Sequence, residues 1–261
     1  MPIHATAVVD PQADIHSSAQ IASYVVIDGP VTVGAGCVIE PFTRLTGSVE
    51  VGPDCRIHSH VAIGDIPQDR RFAGENTRCV IGAGSILREG ATVHRATGEG
   101  NATIIGERCF LMTNAHVGHN CVLGNDVTLI SGSLLGGHVR IGDKAVVSGN
   151  TAVHQFTRIG FMSMVAGVSA VVQDVPPFAM TDHRGRVVGL NLVGLKRAGY
   201  TAEQREDIKT AFKLLYRSGI ASAQIVEVLR SECRTDAVAP LIEFLAETSS
   251  RGICAASRGG R

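Results

Sequence analysis

The chain has 261 residues with 24 Lys and Arg against 24 Asp and Glu, a formal net charge of zero, which excludes the strong basic field of a nucleic-acid or membrane-surface binder. Hydrophobic residues reach 44%, yet aromatics are only 4%, Trp is absent and Gly numbers 30, so the core must be built from small and aliphatic side chains. Seven cysteines without a CxxC pair, no recognisable signal sequence and no apolar run long enough to span a bilayer lead one to expect a reducing, cytoplasmic setting.

From Ile3 onward an aliphatic residue recurs every six positions: Ile3, Val9, Ile15, Ile21, Ile27, Val33, Ile39, Leu45, Val51, Ile57 and Ile63. That period predicts a parallel β-helix in which each hexad is a short strand plus a turn. Three hexads close one coil, so each aliphatic side chain stacks on the one three hexads later. At a strand spacing of about 4.8 Å per coil the array would form a rod of roughly 40 Å. Known hexad repeats of this type wind left-handed, against the usual right-handed rule. The fold class expected is therefore mainly β: a left-handed parallel β-helix of hexapeptide repeats followed by a C-terminal α-helical domain.

The pattern fails from 64 to 80, where Asp69 and Glu75 fall at aliphatic positions, and this predicts a loop extruded from the rod. Its run of Gln68, Asp69, Arg70 and Arg71 marks it as a functional surface. Ile81, Leu87 and Val93 resume the register, and a shorter break at Thr97–Ala102 predicts a second excursion, with surface insertion and functional loop equally open. The ladder then runs from Ile105 to Val171 and is expected to stop at Gln173–Phe178, where two prolines cannot continue strand pairing.

Residues 1–190 are thus assigned to the rod and 191–261 to a helical domain. Helical periodicity covers Asn191–Ala198 and Thr201–Arg217, with Thr201 and Gln204 as a capping box and Gly219 as a stop; two further helices are expected at about 221–232 and 236–249. The small, basic tail Arg251–Arg261 is expected to be disordered.

Subtracting whole coils sorts the histidines. His116, His119, His138 and His154, with Gln155, fall within five adjacent places and should stack along one edge of the prism. His94 falls with His4 and His58 on a different side. Such an edge suits three chemistries. Three imidazoles could hold zinc across a subunit boundary. One could act as a general base while the others bind polar substrate groups. The edge could also be a stack of exposed polar side chains without catalysis. Gly118, Gly136 and Gly137 beside it would admit a substrate to the backbone, and the free N–H of Gly137 could stabilise an oxyanion.

The Gln-Asp-x-basic core of Gly64–Arg78, Asn114-Ala-His-x-x-His119, Gly137-His138, Thr151-Ala-Val-His-Gln-Phe156, Gln173-Asp-Val-Pro-Pro177 and Asn191-Leu-x-Gly-Leu-Lys-Arg197 together resemble the acyl-[acyl carrier protein]–UDP-N-acetylglucosamine O-acyltransferases of lipid A biosynthesis over nearly the whole chain. The resemblance implies transfer of a 3-hydroxyacyl group from acyl carrier protein to the 3-hydroxyl of UDP-N-acetylglucosamine, without metal or cofactor, by a homotrimer with sites between neighbouring rods. It implies His119 as general base and the Gly137 N–H as oxyanion donor. Asp69, Arg71, His116, His138, His154 and Gln155 would bind the sugar nucleotide, Asn191 and Arg197 would lie near the uridine and phosphates, and Gly167 would end the acyl groove, leaving it open for a medium or long chain. Basic residues of the helical domain would meet the acidic carrier protein. Arg71 stands where the resemblance leads one to expect Lys, Asn120 where it expects Asp, Val193 where it expects Glu and Ala198 where it expects Arg. The alternatives are a non-catalytic carrier-protein-binding solenoid and a zinc-dependent hexapeptide-repeat hydratase.

Overall fold

A computed structural model describes residues 3–220 and 222–257. Three parallel sheets form the faces of a prism. The first face begins at Val8–Val9 and ends at Ala170–Val171; the second runs from Asp14–Ile15 to Arg158–Ile159; the third starts at Gln20–Ile21. Most strands are two residues long, an outward residue followed by the buried aliphatic of the hexad, as in His116–Val117 and Val122–Leu123. A small buried residue precedes each pair, as Ala115, Cys121, Val127 and Ser133 do, and lets adjacent faces meet at a narrow corner. At the corners a left-handed residue reverses the chain. Asn114, Asn120, Asp126 and Asn150 serve there, and His138 and Phe156 take the same conformation, with φ of 60° and 65°.

All seven cysteines are free thiols. Those at inward corner positions are bonded within the solenoid: Cys37, Cys55, Cys109 and Cys121 donate to the carbonyls of Gly52, Gly82, Gly124 and Gly136 at 3.1–3.2 Å.

The register explains both breaks in the hexads. Val117 pairs with Leu135, and Leu135 with Val153, one coil of eighteen residues at a time. Ile63, however, pairs with Val93, thirty residues on, and Val93 with Val117, twenty-four on. The two excursions therefore add two hexads and one hexad, which keeps every aliphatic residue in phase. Both leave at the corner between the first and second faces, after Ala62–Asp65 and after Thr92–His94.

Three expectations are corrected at the far end. The prolines end the first two faces, but the third continues, with Met164 paired to Met180, and turns back as an antiparallel hairpin of Ala179–Thr181 and Val187–Leu190. The segment Arg251–Ser257 is not loose: the Asp174 backbone donates to Gly252 and accepts from Cys254, and Val187 donates to Ala255 and accepts from Ser257. Residues 258–261 of the expected disordered tail lie outside the described residues. The fourth helix is shorter than predicted, Ala239–Ala246, preceded by a 3-10 turn at Asp236–Val238.

The helical part comprises α1 (Leu192–Arg197), α2 (Ala202–Arg217), α3 (Ser222–Glu232) and α4 (Ala239–Ala246). Helix α2 carries the predicted capping box of Thr201 and Gln204. Leu195, Ile208, Leu229 and Leu241 pack with Met162 and Phe178 from the last coil, so these helices cover the open end of the rod. Arg158 joins the two parts. Its Nε donates to Asp174, which is fully buried, at 2.7 Å, its Nη1 reaches Glu247 at 3.2 Å, and its guanidinium lies over the Phe244 ring.

Candidate functional site

The corner between the first and second faces holds a half-open cavity of about 340 Å³ lined by Gln68, His94, His116, His119, Gly137 and Gln155, among others. His119 follows Val117 and Gly118 in the turn of its hexad. Gly118 is required by close stacking, because a Cβ there would lie 2.8 Å from the carbonyl of Leu135 on the next coil. Gly137 occupies the corresponding turn one coil on. A Cβ on it would lie 2.6 Å from Cε1 of His119 and closer still to Nε2. The imidazole thus rests on a bare backbone, and among the described residues the Gly137 N–H makes no hydrogen bond.

The two excursions flank this ring from opposite sides. The first brings Asp69 to 4.0 Å from His119 Nε2, with both side chains only about a tenth exposed, 11% and 12%. The second is stapled to the first, since Asn76 donates to Glu99 and accepts from Gly100. Its Thr97 holds the side chain of Asn120, whose Oδ1 lies 2.8 Å from His119 Nδ1. Of the two readings open for the second excursion, the geometry therefore favours the functional one.

Arg71 is largely exposed and engages Asp69 by Nε and Nη2, while its backbone N–H donates to the same carboxylate. Those bonds hold the Asp69 carboxyl down at about 2, so it is an anion throughout the neutral range. His116 bonds Thr92 Oγ1 through Nδ1 at 2.7 Å. Burial, followed by the neighbouring His94, pushes His116 down to about 4, which makes it a neutral ring. His138 stands edge-on to His119, with ring centroids 5.2 Å apart, and stacks on Phe156 at 4.6 Å. Burial, and then the neighbouring His119, lower it as well. His154 is bonded at both nitrogens, Nδ1 to the Gln155 carbonyl and Nε2 to Arg251, so the ordered tail reaches the rim of the cavity.

The predicted edge of His116, His119, His138, His154 and Gln155 is therefore assembled, and Asp69 and Arg71 join it. Two corrections apply. His94 is not on another side: its ring packs edge-on to His116 at 5.3 Å, and its Nδ1 bonds the Ile66 carbonyl, anchoring the first excursion. Coil arithmetic misplaced it because the second excursion adds six residues between Val93 and Val117. Gln68, in sequence only one residue of a polar loop, lines the cavity.

Three predicted residues do not reach this cavity within one chain. Gly167 sits in the corner between the third and first faces, where a Cβ would meet Gly149 and Ser148. Asn191 caps α1, accepting from the Gly194 N–H and donating to the Met162 carbonyl. Arg197 is exposed at the end of α1. Among the described residues no three His, Cys, Asp or Glu side chains converge as ligands for a metal ion, and no helix is long and apolar enough to cross a membrane.

Residues 30–65 and 102–137 match bacterial transferase hexapeptide (six repeats), and residues 174–254 match UDP N-acetylglucosamine O-acyltransferase, domain 2. A curated relative from Thermodesulfovibrio yellowstonii, acyl-[acyl-carrier-protein]–UDP-N-acetylglucosamine O-acyltransferase, is 38% identical over 255 residues, covering 97% of this chain and 98% of that protein. The solved UDP-N-acetylglucosamine acyltransferase of Francisella novicida superposes with a TM-score of 0.94 at 34% identity, covering 98% of this chain and 95% of that one. That of Campylobacter jejuni gives 0.90 at 32% identity, with 98% and 100% coverage.

Proposed function

We propose, from the premise that this chain belongs to the acyl-[acyl carrier protein]–UDP-N-acetylglucosamine O-acyltransferases, that His119 is the general base of the family's transfer and the Gly137 N–H its oxyanion donor. The chain is an acyltransferase that moves an acyl group from carrier protein to UDP-N-acetylglucosamine, the first step of lipid A synthesis. The observation carrying the catalytic assignment is a largely buried imidazole in the cavity wall. Nδ1 is engaged by Asn120, a bare glycine lies under the ring, and Nε2 stands 4.0 Å from the Asp69 carboxylate.

The Asp69–His119 gap of 4.0 Å is too long for a direct hydrogen bond and lets one substrate hydroxyl lie within reach of both groups. In the forward step the sugar 3-hydroxyl gives its proton to Nε2 while its oxygen attacks the 3-hydroxyacyl thioester carbonyl. The resulting oxyanion accepts from the Gly137 N–H. Collapse breaks the C–S bond, and the imidazolium returns its proton to the departing carrier thiolate, leaving an ester and a thiol. Neutral His116 and His138, with His154, Gln155, Asp69 and Arg71, supply donors and acceptors that orient the sugar nucleotide.

Gly167, Asn191 and Arg197 stand apart from this corner, which supports a homotrimer in which a neighbouring chain brings acyl and uridine contacts to it. Within that assembly Gly167 would leave the groove open for a medium or long acyl chain. A cytoplasmic location fits a chain acting on these soluble substrates. The deciding experiment follows a mass-tagged 3-hydroxyacyl group from carrier protein to UDP-N-acetylglucosamine with wild type and His119→Ala. The expected loss is about 10²–10⁴-fold with sugar-nucleotide binding retained; a wild type that binds the nucleotide and transfers no chain length overturns the assignment.

A further inference from the structure

We infer that Asn120, clamped by the backbone of Thr97, is the positioning residue that fixes His119 in the Nδ1–H tautomer and so aims the Nε2 lone pair at the substrate hydroxyl.

An amide side chain can ordinarily be turned end for end, which would exchange acceptor and donor. Here the backbone decides. The Thr97 N–H donates to Asn120 Oδ1 at 2.9 Å, and the Thr97 carbonyl accepts from Asn120 Nδ2 at 3.0 Å. Flipping the amide would set N–H against N–H and carbonyl against carbonyl. The oxygen must therefore be the atom 2.8 Å from His119 Nδ1. An oxygen with no hydrogen can only accept, so Nδ1 carries the proton and Nε2 is left as the acceptor that a base requires.

The clamp is itself held. The Asn120 N–H donates to Thr103 Oγ1 at 2.9 Å, and Thr103 is fully buried. Asn101 Nδ2 donates to the same Thr97 carbonyl at 2.9 Å, and Gly98 and Gly100 take the positive φ that folds the segment back. Asparagine meets a requirement here that aspartate does not. Its left-handed φ of 59° suits Asn, Asp or Gly, but only the amide can both accept from the Thr97 N–H and donate to the Thr97 carbonyl. A carboxylate would face that carbonyl with an unpaired oxygen.

The inference rests on the general-base assignment of His119, so its test needs a readout independent of turnover. Full-length protein labelled with [15N]histidine is examined by 15N NMR at a pH above the imidazole titration, with the spectrum of His119→Asn identifying the His119 signals. In wild type, Nδ1 should appear as the protonated nitrogen and Nε2 as the bare one. Asn120→Gly removes the side chain without straining the left-handed backbone, and should mix the two tautomers. It should also lower kcat about ten- to a hundredfold, with KM for UDP-N-acetylglucosamine within about threefold. Asn120→Asp should keep the wild-type tautomer and move the acid limb of kcat/KM to higher pH, because a carboxylate favours the imidazolium.

A wild-type His119 protonated at Nε2, or an Asn120→Gly spectrum identical to wild type, overturns the inference even if His119 remains essential. The reverse result, a locked tautomer in an enzyme that tolerates His119→Ala, refutes the general-base assignment and leaves the clamp as a structural feature.

Discussion

Replacing Gly137 by Ala adds one methyl group against the base. The new Cβ would lie 2.6 Å from His119 Cε1, whereas non-bonded carbons rest near 3.5 Å, so the ring or the coil must move by about 1 Å. The coil is fixed on one side by the hydrogen bond from Phe156 to the Gly137 carbonyl and on the other by that from His138 to the His119 carbonyl. The ring therefore yields, and its 2.8 Å contact with Asn120 stretches or breaks. A misplacement of that size costs about 10²-fold in rate, or about 2.7 kcal/mol in the barrier. Gly137 is not in the left-handed region, so alanine fits its backbone and stability should change by no more than about 1 kcal/mol. Steady-state transfer kinetics and a thermal melt on the same preparation decide the matter. Activity within about threefold of wild type, or a loss of activity matched by an equal loss of stability, would refute this account of why residue 137 is glycine.

Asp174→Ala removes the fully buried partner of Arg158 and should destabilise the chain by about 3 kcal/mol, lowering the calorimetric Tm by about 10 °C, since the buried guanidinium keeps only the half-exposed Glu247 as a charged partner. The histidine edge should also make stability depend on pH. His116 protonates near 6.5 when exposed and only at about 4 when folded, so unfolding takes up protons in that window. Stability from this group is fully present above about pH 6.5 and declines as pH falls toward 4. Tm measured across that range should fall less for His116→Gln than for wild type; parallel curves would contradict the assignment.

The aliphatic hexads determine the solenoid by themselves, because any residue recurring every six positions must stack on its counterpart a coil away. The capping box of α2 is equally local, needing only Thr201 and Gln204 three residues apart. The breaks at Asp69 and Glu99 were legible as departures from the period, and the resemblance carried by the histidine motifs named the chemistry. What no linear count supplies is the effect of the excursions on everything beyond them. Their extra hexads bring His94 against His116, place Asp69 before one nitrogen of His119, and set Thr97 behind the other through Asn120. Asn120 reads in the sequence as a lost carboxylate, and only the packed structure makes it a clamped acceptor. Likewise, the tail Arg251–Ser257 looks unstructured by composition and is ordered by backbone bonds to Asp174 and Val187. Periodicity is a property of neighbours in the chain, whereas a catalytic ring is oriented by groups from separate coils, whose meeting is fixed only when the coils stack.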